Sequence, residues 1–199
     1  MTFHPAMNYG RGHQQSMRAL PEEGPPFSYS PENRERLDAI VTRYPPDQRK
    51  SAILAALYLV QAQQGYITRN GMRHVAEVIG CTSAEVEDVV TFYTMFYTRP
   101  VGRHVIQVCR TLSCALMGAE RVTSEFVETL GIKPGETDAA GEFSLFEVEC
   151  LGACDRAPVV GVNDHWHECQ KPEDVRAIVE ALRTKGPAAL TGCHLKVER

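Results

Sequence analysis

At Arg99–Pro100–Val101–Gly102 the hydrophobic pattern of this 199-residue chain changes period, which divides it into a helical half and a mixed half. Before the break, Ser30 stands where a helix cap belongs. Pro31 follows at the first helical position, and Leu37, Ile40, Val41 and Tyr44 recur on one face. Asp47 is placed to cap a second helix that carries Ile53, Leu54, Leu57 and Tyr58 and ends at Gly65. Thr68 starts a third, with Met72, Val75, Ala76 and Ile79 turned inward and Gly80 after them. Thr82 and Glu85 have capping-box spacing for a fourth, which carries Val86, Val89, Val90 and Tyr93. Such stripes predict a small helical bundle over residues 31–98.

After the break, His104–Val108 reads as a strand and Ser113–Leu130 as a helix with Leu116, Val122, Phe126 and Leu130 inward. Lys133–Gly141 is a polar loop. Phe143–Val148 and Val159–Val162 alternate like strands, Asn163–Asp164 is a turn, and Trp166–Cys169 extends as a further strand. Pro172–Leu182 is a last helix that buries Val175, Ile178, Val179 and Leu182. The order β-α-β-β-α predicts a layered sheet covered by helices over residues 99–185, so the fold class is α+β. Residues 1–30, rich in Gly and Pro and poor in apolar periodicity, read as a flexible N-terminal arm. Residues 186–199 read as a C-terminal tail.

Composition narrows the function. No stretch approaches the roughly 20 apolar residues of a membrane span. The net charge of −4 disfavours a nucleic-acid binder. Met72–Tyr93 has the outline of a helix–turn–helix, but Glu85, Glu87 and Asp88 on the would-be recognition helix would repel phosphates. Seven cysteines cannot all pair internally, and the start lacks the basic-then-apolar pattern of an export signal. In a reducing compartment, clustered cysteines point to metal or redox chemistry.

Cys109 and Cys114 form a C-x4-C pair, and Cys150 and Cys154 a C-x3-C pair. Each follows a predicted strand, where a rigid sheet presents functional groups. Structural zinc knuckles are usually tighter. A [2Fe–2S] cluster is wider and takes two thiolates per iron. Spacing by itself leaves a cluster, zinc and buried free thiols open. Gly152 lets backbone approach a sulfide, and amides near Ser113 and Cys114, with the Thr111 and Ser113 hydroxyls, can donate to sulfur. The few apolar residues of the first loop place the site near the surface. A thiol oxidoreductase would need the C-x-x-C that is missing here. Cys81 reads as a buried or half-buried thiol. Cys169 lies near His165 and His167, but the three spread along one strand face too widely for one ion. Cys193 lies in the tail.

The segments Val108–Cys109–Arg110–Thr111–Leu112–Ser113–Cys114 and Val148–Glu149–Cys150–Leu151–Gly152–Ala153–Cys154, followed by Ala157–Pro158, resemble the signatures of the E subunit of NADH–quinone oxidoreductase, respiratory complex I, and its mitochondrial flavoprotein 2 counterpart. The resemblance runs from about Tyr44–Pro45 to the last helix. It implies an N-terminal helical bundle followed by a thioredoxin-like domain holding one [2Fe–2S] cluster on Cys109, Cys114, Cys150 and Cys154. It also implies docking against a partner subunit that binds FMN and oxidises NADH, and a cytoplasmic position peripheral to the inner membrane, or the mitochondrial matrix in a eukaryote. Related subunits serve NAD-linked hydrogenases and formate dehydrogenases. Beside an anionic cluster, Arg110 and Arg156 would favour the reduced form and Asp155 would oppose it, so Asp155→Asn is expected to raise the midpoint potential. Thioredoxin-like folds often place a cis proline where Pro158 stands, yet a loop rebuilt around cysteines favours trans.

Overall fold

The computed structural model describes residues 21–163 and 165–186. Residues 1–20 of the arm, Asp164 of the turn, and the tail from 187, including Cys193, lie outside the described residues. The chain divides into two compact units, with the boundary between Pro100 and Val101.

The first unit is helical. Helix α1 spans Pro31–Val41, α2 Ile53–Gln64, α3 Arg69–Ile79 and α4 Ser83–Phe92. Ser30, Thr68 and Thr82 cap α1, α3 and α4 through their side chains, and Thr82 and Glu85 complete the capping box. Leu37, Ala56, Leu57, Val60, Ile67, Val75, Val86 and Val90 are fully buried in one core. Asp47 does not cap α2: a 3-10 helix over Pro46–Ala52 precedes it, and Ala52 at the junction supplies no side-chain bond. Tyr58 is left half exposed, while Ala56, Leu57 and Val60 face the core.

Residues 21–30 are not the free arm that their composition suggested. The first amides of a helix lack internal partners, and α3 gives two of them to this segment. Arg69 N–H donates to the Glu22 carbonyl (2.9 Å) and Asn70 N–H to that of Glu23 (3.1 Å). Asn70 Nδ2 reaches the Gly24 carbonyl (2.8 Å), and Arg73 pairs with Glu23. Gly24 sits at φ +69°, and a Cβ there would lie 2.5 Å from Thr68 Cγ2, so glycine is required on both counts. Phe27, Tyr29 and His74 then meet edge to face or tilted, and Tyr29 Oη donates to the Ala56 carbonyl (3.0 Å).

The second unit is a mixed sheet with helices. Strands β1 (His104–Cys109), β2 (Glu136–Thr137), β3 (Phe143–Val148), β4 (Val160–Val162) and β5 (His165–His167) lie in the order β2-β3-β1-β4-β5. Among the described strands only β1 and β3 run parallel, with Cys109 opposite Val148 at the end of the ladder. Helices α5 (Leu112–Leu116), α6 (Ala119–Leu130) and α7 (Val175–Lys185) complete the unit. Phe126 and Val122 of α6 and Val179 and Leu182 of α7 share a core with Ile106, Val108 and Leu145 of the sheet.

Several expectations shift. The helix drawn over Ser113–Leu130 is two, because Gly118 at φ +95° breaks it, and Leu116 turns to solvent instead of the core. The polar loop over Lys133–Gly141 contains the short edge strand β2. The strand placed at Trp166–Cys169 is His165–His167, and Cys169 stands after it at φ +52°. The Ala157–Pro158 bond is cis, against the trans expectation. No helix among the described residues is long and apolar enough to cross a membrane.

His104 opens β1 fully buried against Phe143, and no described residue bonds either ring nitrogen. Burial, with the charge of Arg103, pushes its pKa down. The unfolded chain therefore takes up a proton that the folded chain resists. Above about pH 6.5 both states keep the ring neutral and the fold loses nothing; below it, stability falls by up to about 1.4 kcal/mol per pH unit until the folded ring also protonates. Urea titrations between pH 7.5 and 5 should show this acid slope, and it should flatten in His104→Leu.

Candidate metal centre

β1 and β3 are neighbours and run the same way, so the turns after Cys109 and Val148 leave the same end of the sheet. This topology brings the four sequence-predicted cysteines together. Cys109 is the last residue of β1, Cys114 lies within α5, and Cys150 and Cys154 bracket the loop after β3. Cys150 Sγ and Cys154 Sγ are 3.2 Å apart, and Cys109 and Cys114 form the other pair. Across the pairs, Cys114 feels Cys154 and Cys154 feels Cys109 electrostatically, and Thr111 and Ser113 reach Cys150 and Cys154.

The two pairs differ in depth. Cys109 and Cys114 are buried in the sheet's core, whereas Cys150 and Cys154 are exposed. The two cysteines of the first loop thus lie deeper than its composition suggested, although Leu112 between them is exposed. Polar donors surround the sulfurs. Thr111 Oγ1 lies 3.2 Å from Cys109 Sγ, and Gly152 N–H donates to Cys150 Sγ (3.3 Å). Gly152 presents that amide at φ +87°, a conformation open to glycine.

Within each pair the thiols split. Burial raises the Cys114 pKa to about 11, helped by its bond to Cys109. Burial also opposes ionisation of Cys109, but bonds from Thr111, the Leu151 backbone and Cys114 outweigh it and lower its pKa. Cys150 is lowered by its bond to Cys154 and by the Gly152 amide, while Cys154 is raised by Cys150.

The sulfurs stand as two pairs and not as one knot. Among the described residues no three His, Cys, Asp or Glu side chains gather to hold a single ion, which includes His165, His167 and Cys169. Two pairs of sulfurs, ringed by amide and hydroxyl donors, suit a two-iron group with two thiolates per iron. Cys81 is a half-buried thiol in the helical unit, its pKa raised by burial.

The family model described as thioredoxin-like [2Fe-2S] ferredoxin matches residues 37–183. This chain belongs to the thioredoxin-like [2Fe–2S] ferredoxin family. The family is that of a [2Fe–2S] ferredoxin with one cluster, and relatives of this chain are named NADH-quinone oxidoreductase subunits. The chain is similar to the NADH-quinone oxidoreductase E subunit of Mycobacterium tuberculosis, 42% identical over 173 residues, 85% of this chain and 68% of the relative. It is similar to NADH-quinone oxidoreductase subunit 2 of Thermus thermophilus, 40% identical over 153 residues, 76% of this chain and 84% of the relative. Its fold resembles the air-oxidised NAD+-reducing [NiFe]-hydrogenase at a TM-score of 0.61 and 18% identity, over 71% of this chain and 24% of that one.

Sequence reasoning marked no exposed apolar residues around the ferredoxin site and had turned Leu116 inward. Leu112, Leu116 and Met117 on and after α5 are exposed large hydrophobics, as is Trp166, which lies 3.8 Å from where a Gly152 Cβ would stand. A five-residue helix that turns Cys114 inward must turn Leu112 and Leu116 outward, a pattern visible only once the break at Gly118 is known. Glu149 was also missed. It precedes Cys150 as Arg110 follows Cys109, and the two opposite charges meet at 2.6 Å.

Proposed function

We propose that Cys109 and Cys114 hold one iron and Cys150 and Cys154 the other of a single [2Fe–2S] cluster. On this reading the chain is the electron-transfer subunit of the NADH-dehydrogenase module of NADH–quinone oxidoreductase. The observation that carries the proposal is the meeting of two cysteine pairs from parallel neighbouring strands, in a chain 42% identical to named E subunits. The cluster supplies one-electron chemistry when bound. This chain holds it at a sheet end, donates to its sulfurs from Thr111 and Gly152, and presents the Cys150–Cys154 side outward. The hydride chemistry of NADH belongs to an FMN-binding partner subunit, and the chain sits peripherally on the cytoplasmic face of the membrane, or in the matrix of a mitochondrion.

Electron paramagnetic resonance of the dithionite-reduced chain tests the cluster. A signal of one two-iron centre per chain is expected, and a zinc-loaded, colourless protein would overturn the assignment. The apolar rim of Leu112, Leu116, Met117 and Trp166 supports docking at this face, since exposed large hydrophobics near a functional mouth favour a partner surface. Leu116→Glu should weaken co-purification with the flavin subunit by about tenfold or more. Its dithionite-reduced spectrum should stay as in wild type, because Leu116 lies outside the sulfur shell.

A further inference from the structure

Beyond the cysteines, an ion pair joins the two ligand loops. The β1–β3 ladder ends at Cys109 opposite Val148, and Arg110 N–H makes the next bond to the Val148 carbonyl (3.0 Å). Beyond that bond the strand ladder stops. Arg110 Nε and Nη2 both donate to Glu149 Oε1, at 3.1 and 2.6 Å. One end of this tie adjoins Cys109, and the other adjoins Cys150. It therefore links a ligand of the buried pair to a ligand of the exposed pair, where no strand pairing remains to hold them. Arg156 and Asp155 also meet, at 3.6 Å, but both lie in the second loop and tie nothing across.

We propose that Arg110 and Glu149 are a positioning pair that closes the two ligand loops on the cluster and balances charge beside it. The pair's role rests on the four-cysteine ligand set proposed above. Arg110 is the more enclosed partner, its side chain 22% exposed against 63% for Glu149. A half-exposed pair adds little to global folding. Its effect is local: it fixes the spacing of loops that must present four sulfurs together. Charge gives a second, separable effect. The cluster is anionic and becomes more so on reduction, so removing the Glu149 charge favours the reduced form and removing the Arg110 charge disfavours it.

The test uses the full chain with its cluster and four variants: Arg110→Gln, Glu149→Gln, the double Gln variant, and the exchange Arg110→Glu with Glu149→Arg. Cluster loss to a chelator is followed by visible absorption, and the midpoint potential by redox titration. Each single variant should lose its cluster at least threefold faster than wild type while its unfolding midpoint barely moves. The potential should rise in Glu149→Gln, fall in Arg110→Gln, and return toward wild type in the double Gln variant, which still loses its cluster quickly. The exchange should recover retention. Singles that hold the cluster as wild type does, or potentials that move in one direction for both, overturn the pair's role while the ligand set stands. A wild-type chain with no cluster signal overturns the ligand set, and the pair's role with it.

Discussion

Cys150→Ala should purify folded and without a cluster, its iron and sulfide content near zero and its reduced paramagnetic signal gone. An iron that loses one of two thiolates in a shallow site has only water to replace it. Cys150 is exposed, so the substitution leaves no cavity and the unfolding midpoint of the cluster-free chain should match that of cluster-free wild type. Cys109→Ser should lose the cluster as completely but behave differently as a fold. Cys109 is 1% exposed, in the core beside Val108 and Val160, and a hydroxyl there without full hydrogen bonding costs about 1–3 kcal/mol. The comparison of metal content and urea midpoints for the pair separates ligation from packing. Full iron content in Cys150→Ala would remove that residue from the ligand set.

Phe126→Ala should destabilise the sheet unit by about 3–5 kcal/mol. Phe126 is fully buried on α6, in the same core as Leu145, Ile106 and Leu182, so truncation opens a hole that those neighbours cannot close. Against a typical total of about 5–15 kcal/mol, this is enough to populate unfolded chain at mild denaturant. The single tryptophan, Trp166, lies in β5, so its fluorescence follows this unit and not the helical one. A shift of less than about 1 kcal/mol in the Trp166 transition would mean that the site collapses around the loss. Because both cysteine pairs hang from β1 and β3, the same variant should shed its cluster at lower urea than wild type.

The helical unit was legible because capping and periodicity are local. Thr68, Thr82 and Glu85 act within one turn of themselves, and Val75, Ile79, Val86 and Val90 repeat at the helical period. Asp47 misled because the two prolines at 45 and 46 start a 3-10 helix, in which a cap for α2 is out of place. Residues 21–30 misled for a different reason. Glycine and proline imply a mobile chain only until the carbonyls of their segment are bound, and here the spare amides of α3 bind those of Glu22 and Glu23 across more than forty residues of sequence. The cysteine motifs were legible as two turns after two strands. Their depth was not, since a loop of polar residues can still tuck a sulfur beneath a sheet.

Local chemistry along the chain was enough to set the two-part organisation, the helices that cap themselves, and the four cysteines as candidate ligands, because each depends on residues a few positions apart. It took the folded chain to place β1 and β3 side by side and parallel, which puts both turns at one end of the sheet and Arg110 against Glu149. Strand order is set by the burial of Ile106, Val108 and Leu145 under α6 and α7, a packing solution among distant segments that no local pattern encodes.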